Sequence, residues 1–187
     1  YAQLAALALC VTAAAGCAHY PLNAPQTAPS GTAGYRFPEY AADPADELFV
    51  CLSFSGGGTR AAAFAHGALL HLSTADIGRG RTLLDEVDCI AGISGGAFTA
   101  AYYGLFGKPG LETFPKDFLA RNIQLELLLR VLNPVNLVRL ASPHFSRIDL
   151  AAQLYHETVF QRKTFASLPA RPFIILHATS MANNASF

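Results

Sequence analysis

Apolar positions along this chain alternate between tight runs and helical stripes. Leu48 to Phe54 (LFVCLSF) is a nearly continuous apolar run closed by Ser55, the pattern of a buried parallel strand. A glycine run follows, Gly56-Gly57-Gly58-Thr59-Arg60. An alanine-rich stretch then places Phe64, Ala68, Leu69 and Leu72 on one helical face. After a charged, glycine-containing connection (Asp76 to Arg81), Val87 to Ile93 predicts a second buried strand. Ala97 to Phe106 predicts a helix of small residues able to approach a sheet closely, and Gly107 to Pro115 reads as a loop. Phe118 to Leu132 predicts a further helix with Leu119, Ile123, Leu127 and Val131 near one face. Leu125, Leu128, Leu129 and Leu132 widen its stripe. That width assigns the helix to the core, with a lid or membrane-facing patch as the alternative. Asn133-Pro134 stops it, and Pro143 to Phe145 is a loop. Ser146-Arg147-Ile148-Asp149 has capping-box spacing and opens a helix to about Phe160. Thr164 to Arg171 connects to a last buried strand, Pro172 to Ala178, and the tail is polar. No internal repeat is present.

The N-terminal pattern differs. Tyr1 to Gly16 carries no charge; it is too short to span a bilayer and suits the apolar part of a secretory signal. Ala14-Ala15-Gly16-Cys17 resembles a bacterial lipobox with Cys17 as lipid acceptor, and a plain secretion signal or an apolar folded helix are the other readings. From Ala18 onward Pro21, Pro25, Pro29, Pro38 and Pro44 punctuate small residues, as in an extended tether. The competing reading is an arm packed on the domain through Tyr35, Phe37 and Tyr40. The expected organisation is a signal segment over 1–17, a tether over 18–47 and one folded domain over 48–187, the chain as a whole reading as a fragment.

Composition narrows the partners. The 187 residues are 52% hydrophobic and 14% charged with zero formal net charge, which supports a sizeable core and argues against an electrostatic nucleic-acid binder. The four cysteines form no disulfide framework: Cys51 and Cys89 fall in buried strands as small apolar thiols, and Cys10 and Cys17 in the first segment. No Cys/His spacing points to a metal, and no cofactor is implied.

The chemistry centres on Gly92-Ile93-Ser94-Gly95-Gly96. A serine between glycines, after a strand and before a helix, has the context of a nucleophile elbow. Trypsin-like proteases share Gly-x-Ser-Gly-Gly, but in an all-β setting that these flanks do not match. The earlier glycine run, between a strand and a helix start, exposes several backbone amides to one point. It lacks the third glycine of a dinucleotide fingerprint (Ala61 stands there) and the Gly-Lys-Ser/Thr of a phosphate loop. An oxyanion hole remains, strengthened by the elbow serine at the end of the next strand.

Together these two motifs, in this order and context, resemble the patatin-like phospholipase family from about Leu48 onward. The resemblance implies a three-layer α/β/α fold with a mostly parallel sheet, and lipid acyl hydrolysis by a Ser–Asp dyad. It makes Ser94 the nucleophile, the loop of Gly56, Gly57, Gly58 and Arg60 the oxyanion hole, and Gly92, Gly95 and Gly96 the elbow frame. Ser55 and Ala61 stand where the family often has Asp and Gly. The family's base is an Asp followed by Gly on a later strand, and no aspartate here is followed by Gly. Asp88 shares the elbow strand but lies about 20 Å from its serine end. The expectation is therefore a dyad aspartate beyond Phe187. His177, at the end of the last strand, is the best candidate for a conventional triad. The expected activity is lipid ester hydrolysis at a membrane surface, from a lipid anchor in the cell envelope, or from a secreted or periplasmic form. The alternatives are an inactive lipid-binding lipoprotein and an α/β-hydrolase with a Ser-His-Asp triad.

Overall fold

The computed structural model describes Tyr35, Arg36 and residues 49–179. The signal segment, Cys17, most of the tether, Phe37 and Tyr40 lie outside these residues. Two compact units divide the chain, one including Thr32–Arg121 and His156–Phe187, the other including Asn122–Tyr155.

The larger unit is built on three parallel strands, β1 (Val50–Phe54), β4 (Val87–Ile93) and β5 (Phe173–His177), with β4 in the centre. Helices α1 (Gly58–Thr74) and α2 (Gly95–Phe114) connect and cover them, so the fold is of the expected α/β class with a parallel sheet. Phe54, Ile90 and Ile174 from the strands meet Ala65 and Leu69 of α1 and Ala100 and Tyr103 of α2 in one core. Small residues set that distance: a Cβ on Gly104 would come within 2.6 Å of Ile174.

β1 departs from the buried-strand expectation. It alternates, with Val50, Leu52 and Phe54 turned to the core and Cys51 and Ser53 exposed. The cysteines are also a correction. Cys51 and Cys89 are register partners with Cα atoms 4.6 Å apart, and their sulfurs are joined in a disulfide. Neighbouring strands of a parallel sheet bring two such side chains onto one face, a pairing that spacing along the chain does not reveal.

A bulge opposite Val50/Cys51 makes Asp88 an extra residue in β4. Its buried carboxylate accepts a hydrogen bond from the Val50 amide at 2.7 Å and pairs with Arg171 at 2.9 Å. The outer edge of β5 is closed by Tyr35, whose ring stacks on Phe173 at 4.6 Å and whose hydroxyl accepts from the Ile174 amide at 2.7 Å. Burial pushes the Tyr35 pKa up, and that backbone bond acts in the opposite direction.

Three connections differ from expectation. Asp76–Gly78 and Arg81–Thr82 form a small antiparallel hairpin, β2 and β3, with left-handed φ at Gly78, Arg79 and Gly80. Residues 108–114 are helical: Gly107 (φ 62°, ψ −154°) kinks α2, which then continues to Phe114 because Leu111 and Phe114 find core positions. The long helix over Phe118 to Leu132 is broken. A π-turn, Pro115–Leu119, ends at Ala120, and Asn122 caps a new helix α3 (Ile123–Leu132) by accepting from the Leu125 amide. Asn133-Pro134 ends that helix and starts another, α4 (Pro134–Leu140), with Asn133 as cap and Pro134 in the first turn. The capping box holds: the Asp149 carboxylate accepts from both the amide and the hydroxyl of Ser146 and opens α5 (Arg147–Thr158).

Candidate active site

The strand-turn-helix context of Ser94 is realised in full. β4 ends at Ile93, Ser94 stands at φ 50°, ψ −118°, and α2 begins at Gly95. A non-glycine residue in this region costs of order 1–3 kcal/mol and persists only where its surroundings hold it. The restraints are visible. The Ser94 carbonyl accepts from Ala97 and Phe98 amides at 3.0 and 3.4 Å. A Cβ on Gly92 would come within 2.7 Å of Ala97 Cα, and one on Gly96 within 2.7 Å of the Phe54 carbonyl oxygen. Only glycine lets the turn fold back on its own strand and lets α2 rest against the end of β1. The outcome is an exposed Ser94 over buried Gly95 and Gly96.

The glycine loop converges on this turn. Gly57 (φ 142°) and Gly58 (φ 65°) adopt conformations closed to most residues, and α1 starts at Gly58, with Gly57 as its cap. The amides of that first turn have no partner within their own helix. A Cβ on Gly56 would lie 3.2 Å from Ser94 Cβ, and a Cβ on Gly95 would overlap the Gly58 carbonyl. The serine and the triple glycine are thus in contact distance at one rim of the sheet. Arg60 stands exposed in the first turn of α1. That the two motifs meet is legible in their order along the chain; that Gly95 in particular lies against Gly58 is not.

No described aspartate touches Ser94; each has another task. Asp76 accepts from the Gly78 amide, Asp85 pairs with Lys108, Asp88 with Arg171 and Val50, Asp117 with Tyr102, and Asp149 with Ser146. Lys108, with the Thr82 backbone, lowers the Asp85 pKa to about 2. Burial and the Asp117 carboxylate raise the Tyr102 phenol to about 12. His66 is buried, its ring 2.7 Å from the Leu111 carbonyl oxygen. His177 is the register partner of Ile93 and exposed, and no hydrogen bond joins it to Ser94 among the described residues. No group of His, Cys, Asp and Glu with metal-binding geometry occurs among the described residues.

Comparison with protein families gives one match: the model of the patatin-like phospholipase family covers residues 52–186. No curated protein and no solved structure matches the chain.

Proposed function

The chain belongs to the patatin-like phospholipase family, and on that premise we propose that it is a serine lipid acyl hydrolase whose nucleophile is Ser94. The observation that carries this reading is the close approach of the two glycine motifs: a Cβ on Gly56 would lie 3.2 Å from Ser94 Cβ. In the proposed reaction Ser94 Oγ attacks the ester carbonyl carbon and gives up its proton to a general base. The Gly57 and Gly58 amides hold the oxyanion that develops; one such donor stabilises the transition state by about 3 kcal/mol. Collapse expels the alcohol, protonated by the same base, and water then hydrolyses the acyl-enzyme. The base is an aspartate outside the described residues, since those described are engaged elsewhere. No cofactor enters this scheme.

The test is hydrolysis of a short-chain nitrophenyl ester and of phospholipid by the full-length gene product. Ser94→Ala is expected to lower kcat by about 10⁴-fold or more. Equal rates in the two proteins overturn the proposal. Labelling by a fluorophosphonate separates an activated serine from an inactive lipid-holding cleft, because only the activated hydroxyl reacts.

We also propose that the enzyme resides in the cell envelope, anchored through a lipid on Cys17. The lipobox-like Ala14-Ala15-Gly16-Cys17 supports this. So does the Cys51–Cys89 disulfide, a bond that persists in oxidising compartments. Cys17→Ser is expected to abolish incorporation of labelled palmitate; undiminished labelling would reject the anchor.

A further inference from the structure

The unit Asn122–Tyr155 carries a surface that the reaction above does not use. Helix α3 buries none of its residues, and neither does α4. On α3 the exposed side is the apolar one. Leu125, Leu128, Leu129 and Leu132 stand at i, i+3, i+4 and i+7, and are 49%, 53%, 59% and 59% exposed. Such spacing aligns them in one stripe along the helix. Beyond the Asn133-Pro134 break, Val135 and Val138 of α4 are 68% and 57% exposed. Beside the stripe, α3 and α5 enclose an open groove of about 540 Å³ walled by Leu127, Leu128, Val131 and Ile148, with Arg147 on its lining.

A solvated helix with leucines on its outer face is out of place in water. Six large apolar side chains exposed on two successive helices are of the kind that marks an interaction site. The charges around it indicate the partner. From residue 122 to 148 the chain holds three arginines, Arg130, Arg139 and Arg147, against one carboxylate, Glu126. The next carboxylate, Asp149, is taken up by the Ser146 cap. An apolar stripe with cationic surroundings describes a helix that lies in a lipid interface. No helix among the described residues is long and apolar enough to cross a membrane.

We propose that α3 and α4 dock this protein on an anionic phospholipid surface. The Leu125–Leu128–Leu129–Leu132 stripe and Val135 and Val138 enter the acyl boundary; Arg139 is held by Asn136 and the Phe145 ring, and the segment's net positive charge, with Arg147 on the groove lining, favours anionic headgroups. The choice of lipid as partner rests on the lipid-hydrolase reading. The docking itself needs no turnover, so the two can fail separately.

These 187 residues contain no tryptophan, so one placed at exposed position 129, read as the difference from the parent protein, is a local probe. In Leu129→Trp, carrying Ser94→Ala to prevent hydrolysis, vesicles of phosphatidylglycerol and phosphatidylcholine are expected to shift the emission to the blue. Phosphatidylcholine alone should do so less, and added salt should weaken the effect. Emission that stays at its aqueous position in all vesicles overturns the proposal. In a second arm, Leu125→Gln/Leu129→Gln/Val138→Gln is expected to sediment with anionic vesicles about tenfold less than the parent, with hydrolysis of a water-soluble ester unchanged. Undiminished sedimentation overturns the proposal. So does a blue shift that needs no lipid and grows with protein concentration, which would make the patch an interface between two copies.

Discussion

Ser94 depends on residues that cannot carry side chains. Gly96 lies against the carbonyls of Phe54 and Ser55, where a Cβ would approach to 2.7 and 2.8 Å. Backbone cannot move aside as a side-chain tip can, so Gly96→Ala is expected to destabilise by about 2 kcal/mol and to lower esterase activity by separating the loop from the serine. Denaturant unfolding and a kcat measurement check both effects. His177→Ala bears on the base: under the proposed dyad it leaves kcat within about twofold, whereas loss of a triad histidine costs about 10⁴-fold or more. Tyr102 tests a buried polar cluster. Its hydroxyl sits 2.6 Å from Asp117 and 2.8 Å from Thr113, and Tyr102→Phe should cost about 1–2 kcal/mol. Its pKa of about 12 means that the folded state holds the phenol proton more tightly than the unfolded chain. This group's contribution is complete below pH 10 and is lost as pH rises through 10 toward 12.

At the scale of elements, the serine elbow, the glycine loop and the Ser146 cap were legible because each is local: turn dihedrals and helix starts are decided within a few residues. The hairpin at Asp76–Thr82, the continuation of α2 past Gly107 and the division of the Phe118 to Leu132 stretch were not. Propensity there is weak, and tertiary contacts decide. Leu111 and Phe114 are buried, and their burial outweighs the disfavour of Gly107 and Pro109. The turn Leu83–Glu86 shows how such a segment is then secured. Asp85 caps it and binds Lys108 at the near end of the kinked part of α2. With its folded pKa near 2, Asp85 contributes stability above about pH 4 and loses it as pH falls from 4 toward 2. Partial exposure limits this to under about 1 kcal/mol. Asp85→Asn should therefore lower stability by up to about 1 kcal/mol at pH 7, flatten the acid limb of a stability-against-pH curve in that window, and change little below about pH 2.

For the whole molecule, the sheet is stapled across its first and central strands by Cys51–Cys89. Peptide mapping without reductant should recover the linked pair, and reduction should cost about 2–4 kcal/mol, read as a lower unfolding midpoint. Free thiols at both positions would reject the bond. Sequence alone determined the class of the fold and pointed to Ser94 as the proposed nucleophile. A strand reads as an apolar run, and a glycine is the only residue that permits certain turns, so both readings come from local chemistry. Sequence alone misread three points: β1 is expected to be buried, but Cys51 and Ser53 are exposed; Cys51 and Cys89 are expected as separate thiols, but they are bonded; and the stripe of α3 is assigned to the core, but the helix buries none of its residues. Those depend on what lies across from each residue once the chain has folded: register put Cys51 beside Cys89, packing put α1 and α2 against Val50, Leu52 and Phe54, and nothing among the described residues buries Leu129. A stripe of leucines has the same pattern whether it meets a core or a solvent boundary, and only the fold chooses between them.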